Sequence, residues 1–211
     1  YAADILGDIG LCEQTRSLRT RAEAASWLSQ LLIGLELERP CLIGASFGGF
    51  LATNLAVPDP GRLSALVLLA PAATLQPFKL VANIAIRLGG LLPMPFTVAP
   101  ALRSMLAGQL PDAPFVELMQ AGVRGFRYER GSIYPSMLQD DELASLSCPV
   151  LLVLGEDELI YDPEAASARA RRLISKLDVL VLGGHGHLPG MQSPQLVNQA
   201  ILEFLQRATV T

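Results

Sequence analysis

Histidine is scarce in this chain, cysteine is scattered and charge is thin. Two histidines, three cysteines and one tryptophan stand among 211 residues, of which 17% are charged. So few imidazoles and thiols leave little from which to build a metal cluster. Cys12, Cys41 and Cys148 are odd in number and form no Cys-x-x-Cys pair. They are expected as buried, reduced thiols, which points to a reducing, cytoplasmic setting. The formal net charge of −4 comes without any basic stripe, which excludes nucleic acid, because phosphate binding needs concentrated Lys and Arg. A long apolar run is missing too. The most apolar stretch, 80–102, is broken by Arg87, Gly89, Gly90, Pro93, Pro95 and Pro100, so short helices are expected there and no membrane span. No Rossmann glycine pattern is present, and no cofactor is expected.

What is present is hydrophobic. Apolar residues make up 51% of a chain long enough for one domain with a substantial core. Short apolar runs alternate with helical patterns, the signature of a parallel sheet with crossover helices. Strands are expected at 41–43, 65–69, 150–154 and 179–182, and the opening residues read as the end of another. Thr20 and Glu23 suit a capping box for a helix burying Leu28, Leu31, Leu32 and Leu35. Asp162-Pro163 and Ser193-Pro194 open two more helices, the last with Leu196, Val197, Ala200, Ile201 and Phe204 on one face. Between 72 and 140 the alternation stops, leaving apolar helical pieces and no convincing strand. The expected organisation is an α/β core of 1–71 and 141–211, interrupted by a helical cap at 72–140. Within that cap Leu80, Leu91, Met94, Phe96, Met105, Phe115, Met119 and Phe126 are expected mostly to pack it onto the sheet, a minority lining an apolar pocket.

Three loops carry the chemistry. Gly44-Ala45-Ser46-Phe47-Gly48 matches G-x-S-x-G, with an apolar strand before it and a helix after it. That context puts Ser46 on a sharp turn with its hydroxyl exposed, and aims the backbone N–H of Phe47 at a developing oxyanion. The flanking glycines are expected to be needed because a Cβ there would collide with the turn or a neighbouring strand. Serine needs a base, and Gly184-His185-Gly186-His187 follows a strand and holds both histidines of the chain. No Cys, Asp or Glu lies near enough in sequence to make that pair a metal site. The base in turn needs an acid, and Gly155-Glu156-Asp157-Glu158 follows another strand with three candidates. The order is serine, acid, histidine.

These motifs together resemble the α/β-hydrolase fold family, in its branch of esterases, lipases and meta-cleavage hydrolases. Asp4-Ile5-Leu6-Gly7-Asp8-Ile9-Gly10 is similar to the D-x-x-G loop after the family's fourth strand, and the elbow, acid and G-x-G-H loops follow in place. The resemblance implies a mostly parallel sheet flanked by helices, with the helical insertion as cap. It also implies Glu158 as acid, third after Gly155, and His187 as base, after Gly186. Ser46 in place of Asp at the elbow sets the chain apart from epoxide hydrolases and haloalkane dehalogenases. The implied activity is cofactor-free hydrolysis of an ester or related acyl bond of a small to medium apolar substrate. The alternative is a ligand-binding or receptor protein on the same fold, with slow turnover or none. The family's first three strands, and the His-Gly loop that supplies its second oxyanion N–H, are expected before Tyr1, because a sheet starting at the fourth strand would expose apolar edges.

Overall fold

The computed structural model describes residues 1–13, 16–91, 94–125 and 131–208. Four strands form one parallel sheet in the order β1-β2-β3-β4: β1 Cys41–Ala45, β2 Ala65–Leu69, β3 Val150–Gly155 and β4 Leu177–Leu182. The register is continuous, Gly44 facing Leu68, Leu68 facing Leu152 and Leu152 facing Val179. Strands of a parallel sheet are covered on both faces and read as apolar runs rather than alternating ones. The alternation of the pleat then divides each run between two cores. Leu66, Leu68, Val150, Leu152 and Leu154 enter one core with Phe50, Leu55, Ala166 and Ala170. Ala65, Val67, Leu151 and Val153 enter the other with Val197, Ile201 and Phe204. The helices of the first core are α1 (Arg21–Gly34), α2 (Phe47–Ala56) and α7 (Pro163–Leu173); α9 (Pro194–Ala208) covers the second face.

Local signals explain the boundaries. Thr20 and Glu23 make the expected capping box at the start of α1. Asp162 accepts from the Ala165 N–H at the start of α7, with Pro163 in the first turn. Helix α2 is largely apolar and buried from Gly49 to Ala56, its Thr53 and Asn54 side chains donating back to the carbonyls of Gly49 and Phe50. Between β2 and β3 lie α3 (Leu80–Leu91), a 3-10 turn (Pro95–Thr97), α4 (Val98–Met105), α5 (Ala113–Gly125) and α6 (Asp140–Ala144), with no strand among the described residues.

Several expectations change. Tyr1 to Ile5 form no strand: strand conformation needs a ladder partner, and none of the four strands pairs there. In α1 the buried residues are Ala24, Ala25 and Leu32, while Leu28, Leu31 and Leu35 are half-buried, because the helix lies on α2 over small side chains. Leu196 is exposed on α9, one position off the face that Val197, Ile201 and Phe204 bury. Cys12 is exposed and Cys41 half-buried, so only Cys148 is a buried thiol. Leu80 and Phe96 stand 74% and 71% exposed and Met94 is exposed too, so these three do not pack onto the sheet. Short helices cut by prolines present more apolar surface than one sheet face can cover. Phe126 and the side chain of Leu91 lie outside what the structure describes. No helix among the described residues is long and apolar enough to cross a membrane.

Candidate active site

The carboxyl ends of β1, β3 and β4 open onto one edge of the sheet, where parallel α/β folds hold ligands. Ser46 leaves β1 there, Glu158 follows β3 and His187 follows β4. Ser46 sits at φ 47°, ψ −113°, a left-handed backbone that costs a non-glycine residue of order 1–3 kcal/mol. Its surroundings over-determine it. Its N–H donates to the Leu69 carbonyl of β2 (2.9 Å), and its carbonyl accepts from Gly49, Phe50 and Ala72 (3.0, 3.2 and 2.9 Å). The strain aims Oγ away from the sheet.

Of the two motif glycines, only Gly44 is required by close packing. A Cβ on Gly44 would run into the Gly48 carbonyl, so β1 passes the turn only without a side chain. A Cβ on Gly48 meets nothing within 4 Å; the second close approach is at Gly49, where Pro71 would stand 2.9 Å away. Phe47 opens α2, and first-turn N–H groups have no acceptor within their own helix, which leaves this donor free to face the site.

The histidine loop is held from three sides. The Asp157 N–H donates to the His185 carbonyl (2.8 Å), and Glu156 to Leu182 (2.9 Å), joining the loops after β3 and β4. A Cβ on Gly155 would strike the carbonyls of His185 and Gly186. From the segment between β2 and β3, the Met105 carbonyl accepts the His187 N–H at 2.7 Å, and Gly186 lies flat against it. Gln192 accepts from Gly186 N–H (2.8 Å) and donates to the Leu106 carbonyl (3.2 Å).

The side chains meet as follows. His187 Nε2 lies 2.7 Å from Ser46 Oγ, and His187 Nδ1 lies 2.6 Å from Glu158 Oε2. The side chains of His187 and Glu158 are fully buried, while Ser46 is half-buried. The second Glu158 oxygen accepts the Ile160 N–H at 2.8 Å. With Glu158 charged, Nδ1–H donates to it and Nε2 is left to accept from the serine hydroxyl. Glu156 and Asp157 are exposed loop charges. His185 turns away, Nδ1 on the Gly183 carbonyl and Nε2 on Ser193 Oγ, both at 2.7 Å. A narrow cleft beside Phe47 is walled by Leu6, Leu18, Ser132 and Ile133.

Sequence reasoning missed three supports. Lys79 donates from Nζ to the Glu158 carbonyl at 3.3 Å, Gln192 braces the histidine loop, and Tyr161 sets its ring edge-on to the imidazole (centroids 6.3 Å, planes 83° apart). A large aromatic three residues past the acid is a signal for Tyr161; nothing in the sequence marks Lys79 or Gln192.

The model of the alpha/beta hydrolase family matches residues 1–200. An uncharacterized carboxylesterase (nap) of Bacillus subtilis strain 168 is 31% identical over 220 residues, 99% of this chain and 71% of the relative. Carboxylesterase YbfK of the same organism is 31% identical over 97% of this chain and 70% of its own length. The crystal structure of naproxen esterase (carboxylesterase NP) from Bacillus subtilis superposes with a TM-score of 0.85 at 31% identity, covering 96% of this chain and 72% of that one. The chain belongs to the alpha/beta hydrolase family, as an enzyme similar to the carboxylesterases within it.

Proposed function

We propose that the chain hydrolyses carboxylic esters of small to medium apolar substrates, with Ser46 as nucleophile, His187 as general base and acid, and Glu158 as the orienting carboxylate. The observation that carries this is the unbroken path from Ser46 Oγ through the two His187 nitrogens to Glu158, at 2.7 and 2.6 Å. As Oγ bonds to the ester carbonyl carbon, its proton passes to Nε2, and the negative charge on the carbonyl oxygen falls to the Phe47 N–H. Collapse breaks the bond to the alcohol, which leaves with the proton from His187. Water repeats the sequence on the acyl-enzyme, releasing the acid and restoring Ser46. Glu158 keeps Nδ1 protonated and stabilises the imidazolium without taking the proton itself. The carboxylesterase relatives support an ester over a thioester or carbon–carbon bond.

A fluorophosphonate probe and a p-nitrophenyl acyl ester test the reading together. The wild type is expected to be labelled at Ser46 and to turn over the ester. Ser46→Ala is expected to lose both, turnover falling by about 10⁴-fold or more with the melting temperature held. Full hydrolysis by a clean Ser46→Ala preparation would sink the assignment. A wild type that binds esters yet neither labels nor turns over would favour the ligand-binding alternative.

A further inference from the structure

Tyr161 is 2% exposed, and its hydroxyl has no hydrogen-bond partner among the described residues. A buried donor left unmade is costly, and a phenylalanine would fill the same space without that cost. Packing alone therefore does not account for the hydroxyl. Its place does suggest a role: it stands three residues past Glu158, on the same loop, with its ring perpendicular to that of His187. Burial first, then the Glu158 charge and the short reach of the phenol toward the Glu158 side chain, push the phenol well above its ordinary range, although no well-aligned bond is made. The group thus keeps its proton at working pH and lies close enough to the carboxylate to feel its charge, without an aligned bond.

We infer that Tyr161 is a positioning residue for the Glu158–His187 pair, its phenolic O–H turning onto the Glu158 carboxylate when His187 takes the serine proton. The inference rests on the triad reading above. Glu158 already accepts from Ile160 N–H and from Nδ1 of His187, so one further donor fits its four lone-pair sites. That donor tempers the basicity of the carboxylate, so the proton stays on the imidazole rather than crossing to Glu158. The other polar groups facing the pair are Ser46 at the elbow and Lys79, whose Nζ is held on the Glu158 carbonyl; the end of α4 contributes only the Met105 carbonyl.

The test is Tyr161→Phe beside Ser46→Ala, followed by kcat, by the pH profile of kcat/KM and by thermal melting. Loss of one hydrogen bond to a charge is expected to lower kcat by about tenfold. The acid limb of the profile is expected to move to lower pH, because a bond made only when His187 is charged stabilises the imidazolium and its loss lets the proton go more easily. The melting temperature is expected to stay level or rise, since an unpaired buried hydroxyl is gone. Wild-type kcat with an unmoved limb overturns the inference; so does a loss of activity and stability together with the limb unmoved, which is what a packing role would give. If Ser46→Ala keeps its activity, the triad reading itself has failed. If Ser46→Ala is inactive and Tyr161→Phe behaves as wild type, only the role of Tyr161 falls.

Discussion

Which of three adjacent acids faces the imidazole is decided by one residue of loop geometry. Glu156 and Asp157 follow Gly155 into solvent, while the chain turns Glu158 inward to 2.6 Å from His187 Nδ1. Glu158→Gln is expected to lower kcat by about 10⁴, as loss of the tautomer-fixing carboxylate does in serine proteases, and Asp157→Asn to change it little. Steady-state kinetics on the two amides checks this, and the reverse pattern would move the acid to Asp157. Gly186 offers a second test. A methyl there would press on the Met105 carbonyl that holds the His187 N–H, so Gly186→Ala is expected to displace the base. A shift of about 1 Å costs roughly 10²-fold in kcat. The melting temperature should move little by comparison. Cysteine chemistry is separable in the same way. Burial first, and Cys148 second, push the Cys41 thiol up to about 11, and burial raises Cys148, whereas Cys12 is exposed. Iodoacetamide on the folded protein should therefore modify Cys12 first, as peptide mass spectrometry would read out; early modification of Cys41 would contradict it.

At the scale of elements, the histidine and acid loops stay in place because the helices behind them are tied to the rest of the chain. Arg169 of α7, 9% exposed, donates to the carbonyls of Leu75 and Leu138 and to Asp140 at the start of α6. Arg169→Met strands two carbonyls and is expected to cost about 2–4 kcal/mol, measured by denaturant unfolding. The same contact makes stability depend on pH. Hydrogen bonds from Arg169 hold the Asp140 carboxyl below its ordinary 3.8; partial desolvation opposes them and Arg172 adds to them. A depressed folded value means the contribution is present above the unfolded value and is lost as pH falls through the folded one. The melting temperature should thus drop below about pH 4, and less steeply in Asp140→Asn.

Taken as a whole molecule, the enzyme carries a net charge of −4, and Phe47, next to the half-buried Ser46, lines a narrow crevice with Leu6, Leu18 and Ile133. Both favour apolar acyl groups. With p-nitrophenyl esters, kcat/KM is expected to be higher on apolar acyl groups, by up to about tenfold per added methylene over the first few, and to fall when the acyl chain ends in a carboxylate. Equal or better rates on the anionic esters would count against the apolar cleft.

The parallel sheet was legible in the sequence because every strand is an apolar run, buried in β2 and β3, and because α1 and α7 open on side-chain caps, both local properties. The G-x-S-x-G elbow was legible because strand, turn and helix lie within some fifteen residues. Positions set by contacts across the chain were not. Gly44 is constrained by the Gly48 carbonyl but Gly48 by nothing within 4 Å, a difference that the symmetric motif hides. Leu80 and Phe96 read as packing residues and stand in the open, because coverage depends on which helix lies over which. By itself the sequence determined the family, the order of the elements and the residue types at the site. Only the tertiary structure decided that Ser46 and His187, 141 positions apart, close to 2.7 Å, and that Met105, Gln192 and Tyr161 support them, because hydrogen bonds between distant loops leave no period in the sequence.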